Sequence, residues 1–490
     1  MKSPEFDFAV IGGGSAGYAA ARTAAGLGLK TVVVEGGREV GGLCILRGCM
    51  PSKTLIESAN RFLAINHAQE FGLKVEHPTF DPAAIIARKR RLIGEFADYR
   101  KEQLEAGKFT FIRAHANFTD PHSLHLRLLD GSEQSITARS FLIATGSSIS
   151  SPKVPGLAEA GCLTSDDLLD LESLPASTIV LGAGPVALEL AHYLAALGTE
   201  VTVIQRSGQL LKGIDSDLAE VVETAFRERG IRIFKNTSLV RLERDGETRK
   251  VVFEYEGKET TVEATSVFNA LGRQPNVSKL SLDAAGVVLD GSKIKVSKSQ
   301  QTSAGHIFAA GDCCGPYEVV HTAIEQGELV ARNAAHLLKG ESKRDEMDYR
   351  LKLYVVFTEP QVASVGLTEA EAREKGIAYH VATYPFNDHG KSLVMNELHG
   401  FVKLLSEQKT GEIIGGSVVG PHASDLIHEI VVAMAFRSTA CQLALVPHYH
   451  PTLSEIWTYP AGDLAEHYAH CQLPHSLPGE IAVQQERKSG

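Results

Sequence analysis

Apolar segments and glycine-rich turns alternate near the start of the chain. The apolar run Phe6–Ile11 predicts a short strand that leads into the turn Gly12–Gly17. A helix is predicted over Tyr18–Leu27 and a second strand over Thr31–Glu35. Together these elements predict a βαβ unit, in which a helix joins two parallel strands.

The same order of elements recurs in the middle of the chain, which indicates an internal duplication. A glycine turn alone is weak evidence, but its place between a strand and a helix predicts a dinucleotide-binding unit. The sequence therefore predicts two such units. The repeated elements are a strand at Thr178–Leu181, a turn at Gly182–Ala187, a helix at Leu188–Leu197 and a strand at Glu200–Ile204.

The first turn has the residues that a dinucleotide site requires. Gly12 would make the tight turn, Gly14 would let a pyrophosphate approach the backbone, and Gly17 would let helix and strand pack closely. The pyrophosphate would lie at the helix N-terminus, where unpaired N–H groups and the helix dipole favour anions. Glu35 ends the second strand, where a carboxylate accepts hydrogen bonds from ribose hydroxyls; the alternative is a solvated strand-end acid.

The second turn differs at positions that bear on the choice of nucleotide. Ala187 replaces the third glycine, and Gln205 stands where Glu35 stands in the first unit. Arg206 follows, and an arginine at this place can bind the 2′-phosphate of NADP, which a carboxylate would repel. We therefore predict FAD at the first unit and NADPH rather than NADH at the second. The alternative for Arg206 is a solvent-facing cation.

Two cysteines follow the first unit at a spacing that indicates redox chemistry. Cys44 and Cys49 are separated by four residues and can form a small disulfide on the first turns of a helix, whose dipole lowers the pKa of a thiol. Gly41, Gly42 and Gly48 leave room for a flat cofactor beside them. The alternatives are structural cysteines or half of a zinc site, and neither has partners at ligand spacing.

An acid–base pair lies far along the chain. His450 can carry a proton near neutral pH, and Glu455 can fix its tautomer and stabilise its charged form. The pair would lie in a loop before a helix that begins near Ser454. His448 is a competing candidate two residues away.

These motifs make the chain similar to the pyridine nucleotide-disulfide oxidoreductases, the family that contains dihydrolipoamide dehydrogenase, glutathione reductase and mercuric reductase. The resemblance covers almost the whole chain and implies an α/β fold with two Rossmann-like dinucleotide-binding domains and an α+β C-terminal dimerisation domain. The expected boundaries are 1–155 and 276–348 for the two parts of the FAD-binding domain, 156–275 for the NAD(P)-binding domain and 349–490 for the dimerisation domain. The matching segments are Gly12–Gly17, Cys44–Lys53, Ala144–Gly146, Gly182–Glu189, Ala310–Asp312 and His450–Glu455.

The resemblance also implies roles for individual residues. Cys44 would attack the disulfide substrate, and Cys49 would form the charge-transfer contact with the flavin. Lys53 and Glu189 would pair near the flavin, and Asp312 would hold its ribityl chain. The implied FAD site further includes Gly12, Gly14, Gly17, Glu35, Gly42, Thr145, Gly146 and Gly311, and the implied nicotinamide site includes Gly182, Gly184, Ala187, Arg206, Lys212 and Gly272.

In the family, the C-terminal domain forms the interface of a two-fold dimer. The resemblance therefore implies a homodimer in which His450 and Glu455 of one subunit serve the cysteine pair of the other subunit.

Composition and net charge limit the classes of partner and the cell compartments that we expect for this protein. The net charge of -10 argues against a nucleic-acid partner, and no apolar run approaches the roughly 20 residues that a membrane-spanning helix needs. The seven cysteines form no dense framework, so we predict a cytoplasmic protein in which any disulfide is catalytic. Cys162 and Cys441 are then expected in the core. We expect no metal ion.

The sequence motifs that bear on the identity of the substrate are similar to those of different enzymes within the family. Ser52–Lys53 and His450–Glu455 are most similar to dihydrolipoamide dehydrogenases, whereas Ala187, Arg206 and Lys212 are similar to the NADPH-using reductases. We rank a dihydrolipoamide dehydrogenase-like enzyme first. An NADPH-dependent reductase of another small disulfide, of the glutathione type, or of Hg(II) ranks second. A non-catalytic flavoprotein that serves as a binding module is the third hypothesis.

Overall fold

The computed structural model describes residues 4–469 and 471. Strands and helices occur throughout this range. The strands are β1 (Phe6–Ile11), β2 (Thr31–Val34), β3 (Thr110–Ile112), β4 (Ala114–Asp120), β5 (Ser123–Leu128), β6 (Glu133–Ile143), β7 (Ser147–Ile149), β8 (Ser177–Leu181), β9 (Glu200–Ile204), β10 (Arg232–Phe234), β11 (Ser238–Asp245), β12 (Thr248–Tyr255), β13 (Lys258–Ala264), β14 (Ser266–Asn269), β15 (Arg273–Pro275), β16 (Leu289–Asp290), β17 (Lys293–Ile294), β18 (Ile307–Ala309), β19 (Leu353–Val356), β20 (Gln361–Gly366), β21 (Tyr379–Pro385), β22 (Phe401–Glu407) and β23 (Ile413–Gly420).

The α-helices are α1 (Ser15–Gly26), α2 (Gly42–Arg47), α3 (Cys49–Asn66), α4 (Pro82–Glu105), α5 (Ser165–Leu168), α6 (Pro185–Ala196), α7 (Ser216–Glu228), α8 (Val320–Leu338), α9 (Glu369–Glu374), α10 (Gly390–Met395), α11 (Ala423–Ala435), α12 (Ala440–Ala444) and α13 (Thr458–Ala465). Short 3₁₀ helices lie at Ala68–Phe71, Leu282–Ala285, Gly311–Cys313, Tyr349–Leu351, Phe386–Asp388 and Ser454–Trp457. Both predicted βαβ segments have the predicted order of elements: β1, α1 and β2 in the first, and β8, α6 and β9 in the second.

The chain divides into two compact units, which we call the first and the second unit. Of the described residues, the first unit comprises 4–182, 193–200 and 238–348, and the second comprises 183–192, 201–237, 349–469 and 471. The predicted domain boundaries follow a different, family-based division and stay predictions.

The first unit is built on a seven-stranded sheet. Its path is β3-β2-β1-β6-β5-β4, and β18 also pairs with β6. The strands β3, β2, β1, β6 and β18 are parallel, and β5 and β4 add an antiparallel edge. All four residues of β2 are buried, as expected for a parallel strand that is covered on both faces. Helices α1 and α8 pack against each other beside this sheet.

The first unit also contains smaller sheets. Strands β11, β12 and β13 form an antiparallel sheet, β7 pairs with β15, and β16 pairs with β17. Strand β8 pairs in parallel with β14. The apolar side chains of β1, β2, β6 and β18 fill two buried clusters, which hold the loops at the ends of the parallel strands in place.

The second unit contains a five-stranded antiparallel sheet in the order β19-β20-β23-β22-β21. Helix α11 packs against β20 and β23, and α13 packs against β21 and β22. The fully buried Trp457 lies in the apolar core between them, and its indole N–H donates to the Leu426 carbonyl at 3.1 Å. Strands β9 and β10 form a parallel pair in the same unit.

Within the described part of the chain, no helix combines the length and the apolar character needed to cross a membrane.

Candidate active site

The first glycine turn has a backbone that only glycine allows. Gly12 has φ +108°, and a Cβ there would lie 2.3 Å from the Ala144 carbonyl oxygen. A Cβ on Gly17 would lie 1.8 Å from the Gly12 carbonyl oxygen. These contacts bring the end of β1, the start of α1 and the end of β6 close together. The N-terminus of α1 is therefore presented at the carboxyl ends of the parallel strands, where nucleotides bind in such sheets.

Glu35 lies directly over this turn. Its Oε2 accepts a hydrogen bond from the Gly13 N–H at 2.7 Å, and its Oε1 accepts one from the Gly37 N–H at 2.6 Å. Two backbone donors thus fix the carboxylate at the end of β2. A carboxylate held here has free lone pairs for ribose hydroxyls.

A second acid lies near the end of β18. Asp312 Oδ2 accepts a hydrogen bond from Ser147 Oγ at 2.6 Å, and Arg273 donates to both Ser147 Oγ and the Ser147 carbonyl at 2.8 Å. The sequence did not reveal Ser147 or Arg273 as supports of Asp312. Their signal is weak, because Ser147 follows directly after the Ala144–Gly146 motif but Arg273 lies far away in the chain.

The donor set of the first unit fits FAD. The Thr145 hydroxyl is buried and finds no hydrogen-bond partner in the part of the chain that the structure describes, as expected of a group that bonds a ligand. Gly146 and Gly311 have φ of +67° and +77°, and no atom would lie within 3.5 Å of a Cβ at either. Phosphate-binding N–H groups, two acids for hydroxyls and this orphaned hydroxyl therefore line one end of the sheet.

The cysteine pair lies in two helices rather than one. Cys44 is in α2, Cys49 is the first residue of α3, and Gly48 separates them. The prediction of a single helix was wrong at this point, because Gly48 has φ -133° and ψ -114°, a conformation outside the helical region. A Cβ on Gly42 would lie 2.7 Å from the Gly14 Cα. The segment that carries the cysteines therefore contacts the dinucleotide turn directly.

The two thiols interact with each other. A hydrogen bond with Cys49, and then burial, raise the pKa of the Cys44 thiol above its usual value, whereas the charge of Lys53 acts in the opposite direction. The second proton of the pair is therefore hard to remove while the first thiolate is present. Two sulfur atoms in hydrogen-bond contact are placed for oxidation to a disulfide.

The residues predicted for the nicotinamide site are placed as follows. Gly182 has φ +107°, and its Cβ would lie 2.6 Å from the Ala270 carbonyl oxygen, which repeats the geometry of Gly12. Gly184 has space around its Cα, Ala187 is buried, and Gly272 has φ +105°. Arg206 and Lys212 are both exposed. Among the described residues, neither has an ion-pair partner, so both are available to a phosphate.

Glu189 is buried in the second unit. Its Oε1 accepts a hydrogen bond from the Phe357 N–H at 3.0 Å. The pairing of Lys53 with Glu189 stays a prediction.

His450 and Glu455 form the expected pair in the second unit. His450 Nδ1 lies 3.1 Å from Glu455 Oε1 and 3.0 Å from Oε2. The His450 side chain is 76% exposed, whereas Glu455 is buried. The buried acid thus fixes one ring nitrogen, and Nε2 points away from it with no hydrogen-bond partner among the described residues. An imidazole held in this way can transfer a proton through Nε2.

His448 also has a carboxylate partner, but its geometry differs. Its Nε2 lies 2.7 Å from Glu429 Oε1, and its Nδ1 lies 2.9 Å from the Val446 carbonyl. The hydrogen bond that His448 donates to the Glu429 carboxylate raises the pKa of His448. Because both ring nitrogens are engaged, His448 has none left for proton transfer.

His389 is a further neighbour of Glu455 that the sequence did not reveal. Its side chain is fully buried, its Nδ1 lies 2.9 Å from Ser392 Oγ, and its Nε2 lies 3.4 Å from Glu455 Oε1. Burial lowers the pKa of His389, and the neighbouring Glu455 carboxylate acts in the opposite direction. No sequence motif marks it, because it lies in the loop between β21 and α10, far from His450 in the chain.

One cysteine prediction was wrong. Cys441 and Cys471 form a disulfide with a Cα–Cα distance of 5.7 Å, because α12 and α13 pack together and bring the segment after α13 back to α12. A disulfide outside the Cys44–Cys49 pair contradicts the expectation that any disulfide is catalytic. Cysteine usage therefore no longer supports a reducing compartment. Cys441 is a partly buried neighbour of the core rather than a free core thiol.

Comparisons with known proteins agree with this geometry. The family model of the pyridine nucleotide-disulphide oxidoreductases matches residues 6–327, and the model of that family's dimerisation domain matches residues 353–461. The chain is 34% identical to a dihydrolipoyl dehydrogenase of Chlamydia muridarum over 455 residues, which covers 92% of this chain and 95% of that protein. It is also 34% identical to a mercuric reductase of Bacillus cereus over 457 residues, which covers 92% of this chain and 70% of that one.

Solved structures are similar as well. The LpdA protein of Mycobacterium tuberculosis has a TM-score of 0.83 and 32% identity, with 94% of this chain and 99% of that chain covered. The flavoprotein disulfide reductase RclA of Escherichia coli has a TM-score of 0.82 and 26% identity over the same shares.

The chain belongs to the pyridine nucleotide-disulfide oxidoreductases. It is an FAD-dependent disulfide oxidoreductase that uses a nicotinamide dinucleotide and is similar to the dihydrolipoyl dehydrogenases. The predicted fold, with two dinucleotide-binding domains and a C-terminal dimerisation domain, is confirmed. Because the family consists of enzymes, the hypothesis of a non-catalytic binding module was wrong.

Proposed function

We propose that the enzyme transfers electrons between NADPH or NADH and a small dithiol or disulfide, with dihydrolipoamide and lipoamide as the first-ranked pair. The observation that carries this proposal is the hydrogen-bonded Cys44–Cys49 pair, on a segment whose Gly42 contacts the dinucleotide turn at Gly14. Bound FAD would pass electron pairs between the nicotinamide and this cysteine pair. Gly12–Gly17, Glu35, Thr145 and Asp312 would hold the FAD.

In the direction of disulfide reduction, His450 Nε2 first takes the proton of the Cys44 thiol, and the Cys44 thiolate attacks one sulfur of the substrate disulfide. The substrate S–S bond breaks, a Cys44–substrate disulfide forms, and the departing sulfur takes this proton from His450 Nε2. The Cys49 thiolate then attacks the Cys44 sulfur and leaves a Cys44–Cys49 disulfide, while the second substrate sulfur departs as a thiolate that takes a proton from solvent. NAD(P)H supplies the electron pair that reduces this disulfide again, so that one substrate disulfide is reduced for each NAD(P)H oxidised.

Glu455 supports the proton transfer in this scheme. Its buried carboxylate lies within hydrogen-bond distance of His450 Nδ1 and would stabilise the imidazolium that precedes protonation of the substrate. Lys53 and Glu189 would pair near the flavin.

The proposed dimer completes the site. Each active site would combine Cys44 and Cys49 of one subunit with His450 and Glu455 of the other. The dimerisation domain in residues 353–461 supports this arrangement. A cytoplasmic location stays a prediction.

We further propose that NADPH is preferred over NADH. The support is the pair of exposed cations Arg206 and Lys212, with Gln205 where an acid would repel the 2′-phosphate. The same cations favour the second candidate function, an NADPH-dependent reductase of another small disulfide or of Hg(II), and the similarity to a mercuric reductase adds to it.

A substrate panel tests the proposal. Lipoamide, glutathione disulfide, bis-CoA disulfide and Hg(II) are each assayed with NADPH and with NADH, using FAD-loaded protein and a Cys44→Ser variant as the blank. We expect the highest kcat/KM with lipoamide and a preference for NADPH. A higher kcat/KM with another acceptor would favour the second candidate function, and no reduction of any of them would contradict the proposal.

A further inference from the structure

Arg100 is a half-buried cation close to the interchange thiol. It lies near the end of α4, which packs against α2, the helix that carries Cys44. Its guanidinium carbon lies 4.2 Å from the centroid of the Tyr18 ring, so one face of the guanidinium is covered. Burial lowers the pKa of Arg100, and the charges of Tyr18 and Cys44 act against this effect. Arg100 is thus near enough to Cys44 for their charges to interact.

The charge of Arg100 has no acid to balance it. Among the described residues, no carboxylate lies within ion-pair distance of its guanidinium. Its Nε is buried and, among the same residues, has no hydrogen-bond partner. Arg22 differs from Arg100 in this respect, because its Nη2 lies 2.8 Å from Glu328 Oε1 and the carboxylate balances its charge.

An unmatched, half-buried cation is costly unless a ligand supplies the missing charge. Desolvation weakens the hydration of the guanidinium, and unsatisfied buried polar groups are rare in folded proteins. Arginine presents its donors as a planar fork that matches a carboxylate in two parallel hydrogen bonds. The contact with the Tyr18 ring uses none of the guanidinium N–H groups in a conventional hydrogen bond, so they can still donate to an anion.

We propose that Arg100 binds a carboxylate of the disulfide substrate at Cys44, so that the enzyme selects small disulfides that carry an acid group over their neutral counterparts. This inference rests on the proposed function and narrows its substrate class: it ranks lipoate above the lipoamide of the first-ranked pair. The carboxylate would balance the charge of Arg100.

Matched substrate pairs test this selection. Lipoate and lipoamide share one dithiolane ring and differ in a carboxylate against an amide, and 3,3′-dithiodipropionic acid and its diamide form a second such pair. With FAD-loaded wild-type protein, we expect kcat/KM to favour the acid of each pair by about ten- to a hundredfold, as for one hydrogen bond between charged groups. The preference should decrease as salt is added.

Variants assign the preference to Arg100. Arg100→Gln should remove it, mainly through a higher KM for the acids, and Arg100→Lys should retain part of it. Arg91→Gln is the matched control, because Arg91 lies on the same helix in an exposed pair with Glu95 and should leave the ratio unchanged. Bound FAD and the activity with the neutral substrates report whether each variant is folded.

The outcomes separate the inference from the proposed function. A wild type that reduces both members of a pair equally well would overturn the inference and leave the proposed function intact. If Arg100→Gln lowered kcat for acid and neutral substrates alike and moved the pH profile, Arg100 would stabilise the Cys44 thiolate instead, and the inference would be wrong. If wild-type protein reduced no disulfide at all, the proposed function itself would fail.

Discussion

Replacing Glu455 by glutamine removes a charge from the proposed acid–base pair and keeps the shape of the side chain. Both carboxylate oxygens lie about 3 Å from His450 Nδ1, and only 7% of Glu455 is exposed, but the His450 side chain is 76% exposed, so solvent screens part of the interaction. A hydrogen bond between charged groups contributes on the order of 1.5–3 kcal/mol, and the screening favours the lower end of this range. At about 1.4 kcal/mol for each factor of ten, Glu455→Gln should lower kcat by roughly tenfold.

The assay is steady-state disulfide reduction with NADPH, measured in a double-mutant cycle with His450→Ala. Because Glu455 is proposed to act through His450, the glutamine substitution should cost little in the His450→Ala background. Unchanged FAD content and thermal unfolding temperature would show that the fold is intact. An equal loss of kcat in both backgrounds would refute the proposed role of Glu455.

Three other predictions concern the nucleotide, the dimer and pH. Arg206→Ala should lower the ratio of kcat/KM with NADPH to kcat/KM with NADH by roughly tenfold to a hundredfold. An unchanged ratio would mean that Arg206 does not bind the 2′-phosphate of NADPH. Mixing Cys44→Ser chains, which are inactive alone, with His450→Ala chains, which keep only a small residual activity alone, should restore up to about half the activity per heterodimer; proven heterodimers without this gain would contradict the shared site. Burial raises the pKa of the Glu359 carboxyl to about 7, and the charge of Glu397 adds to this effect. The folded state therefore holds the Glu359 proton more tightly than the unfolded chain does, so the protein loses stability as pH rises towards 7. Glu359→Gln should therefore raise the thermal unfolding temperature at about pH 8 and not at about pH 4; equal shifts at both would contradict this assignment.

The sequence predicted those features that depend on local pattern. The two strand–turn–helix segments were predicted because glycines with positive φ, such as Gly12 and Gly182, must stand at fixed positions between an apolar strand and a helix. The His450–Glu455 contact also follows from a short spacing along the chain. Such features require no knowledge of which distant segments meet.

Features that depend on long-range packing were missed. His389 reaches Glu455 from the loop after β21, and Arg273 reaches Ser147 across 126 residues of sequence. The Cys441–Cys471 disulfide likewise requires α12 and α13 to pack together. The helix break at Gly48 was missed for a different reason, because a single glycine within a helical pattern is often tolerated.

The proposed function depends above all on the Cys44–Cys49 pair, and anaerobic reductive titration with dithionite tests the role of this pair most directly. The parent protein for this titration carries Cys441→Ser and Cys471→Ser, because the Cys441–Cys471 disulfide of the wild type is a further electron acceptor. Air-oxidised and FAD-loaded, this parent should accept about two electron pairs per flavin, since the flavin and the Cys44–Cys49 disulfide each accept one. In the same background, Cys44→Ser and Cys49→Ser should bind FAD as before and accept about one electron pair each. A parent that accepts only one electron pair per flavin, or its Cys49→Ser variant still accepting two, would contradict the assignment of this pair as the redox centre.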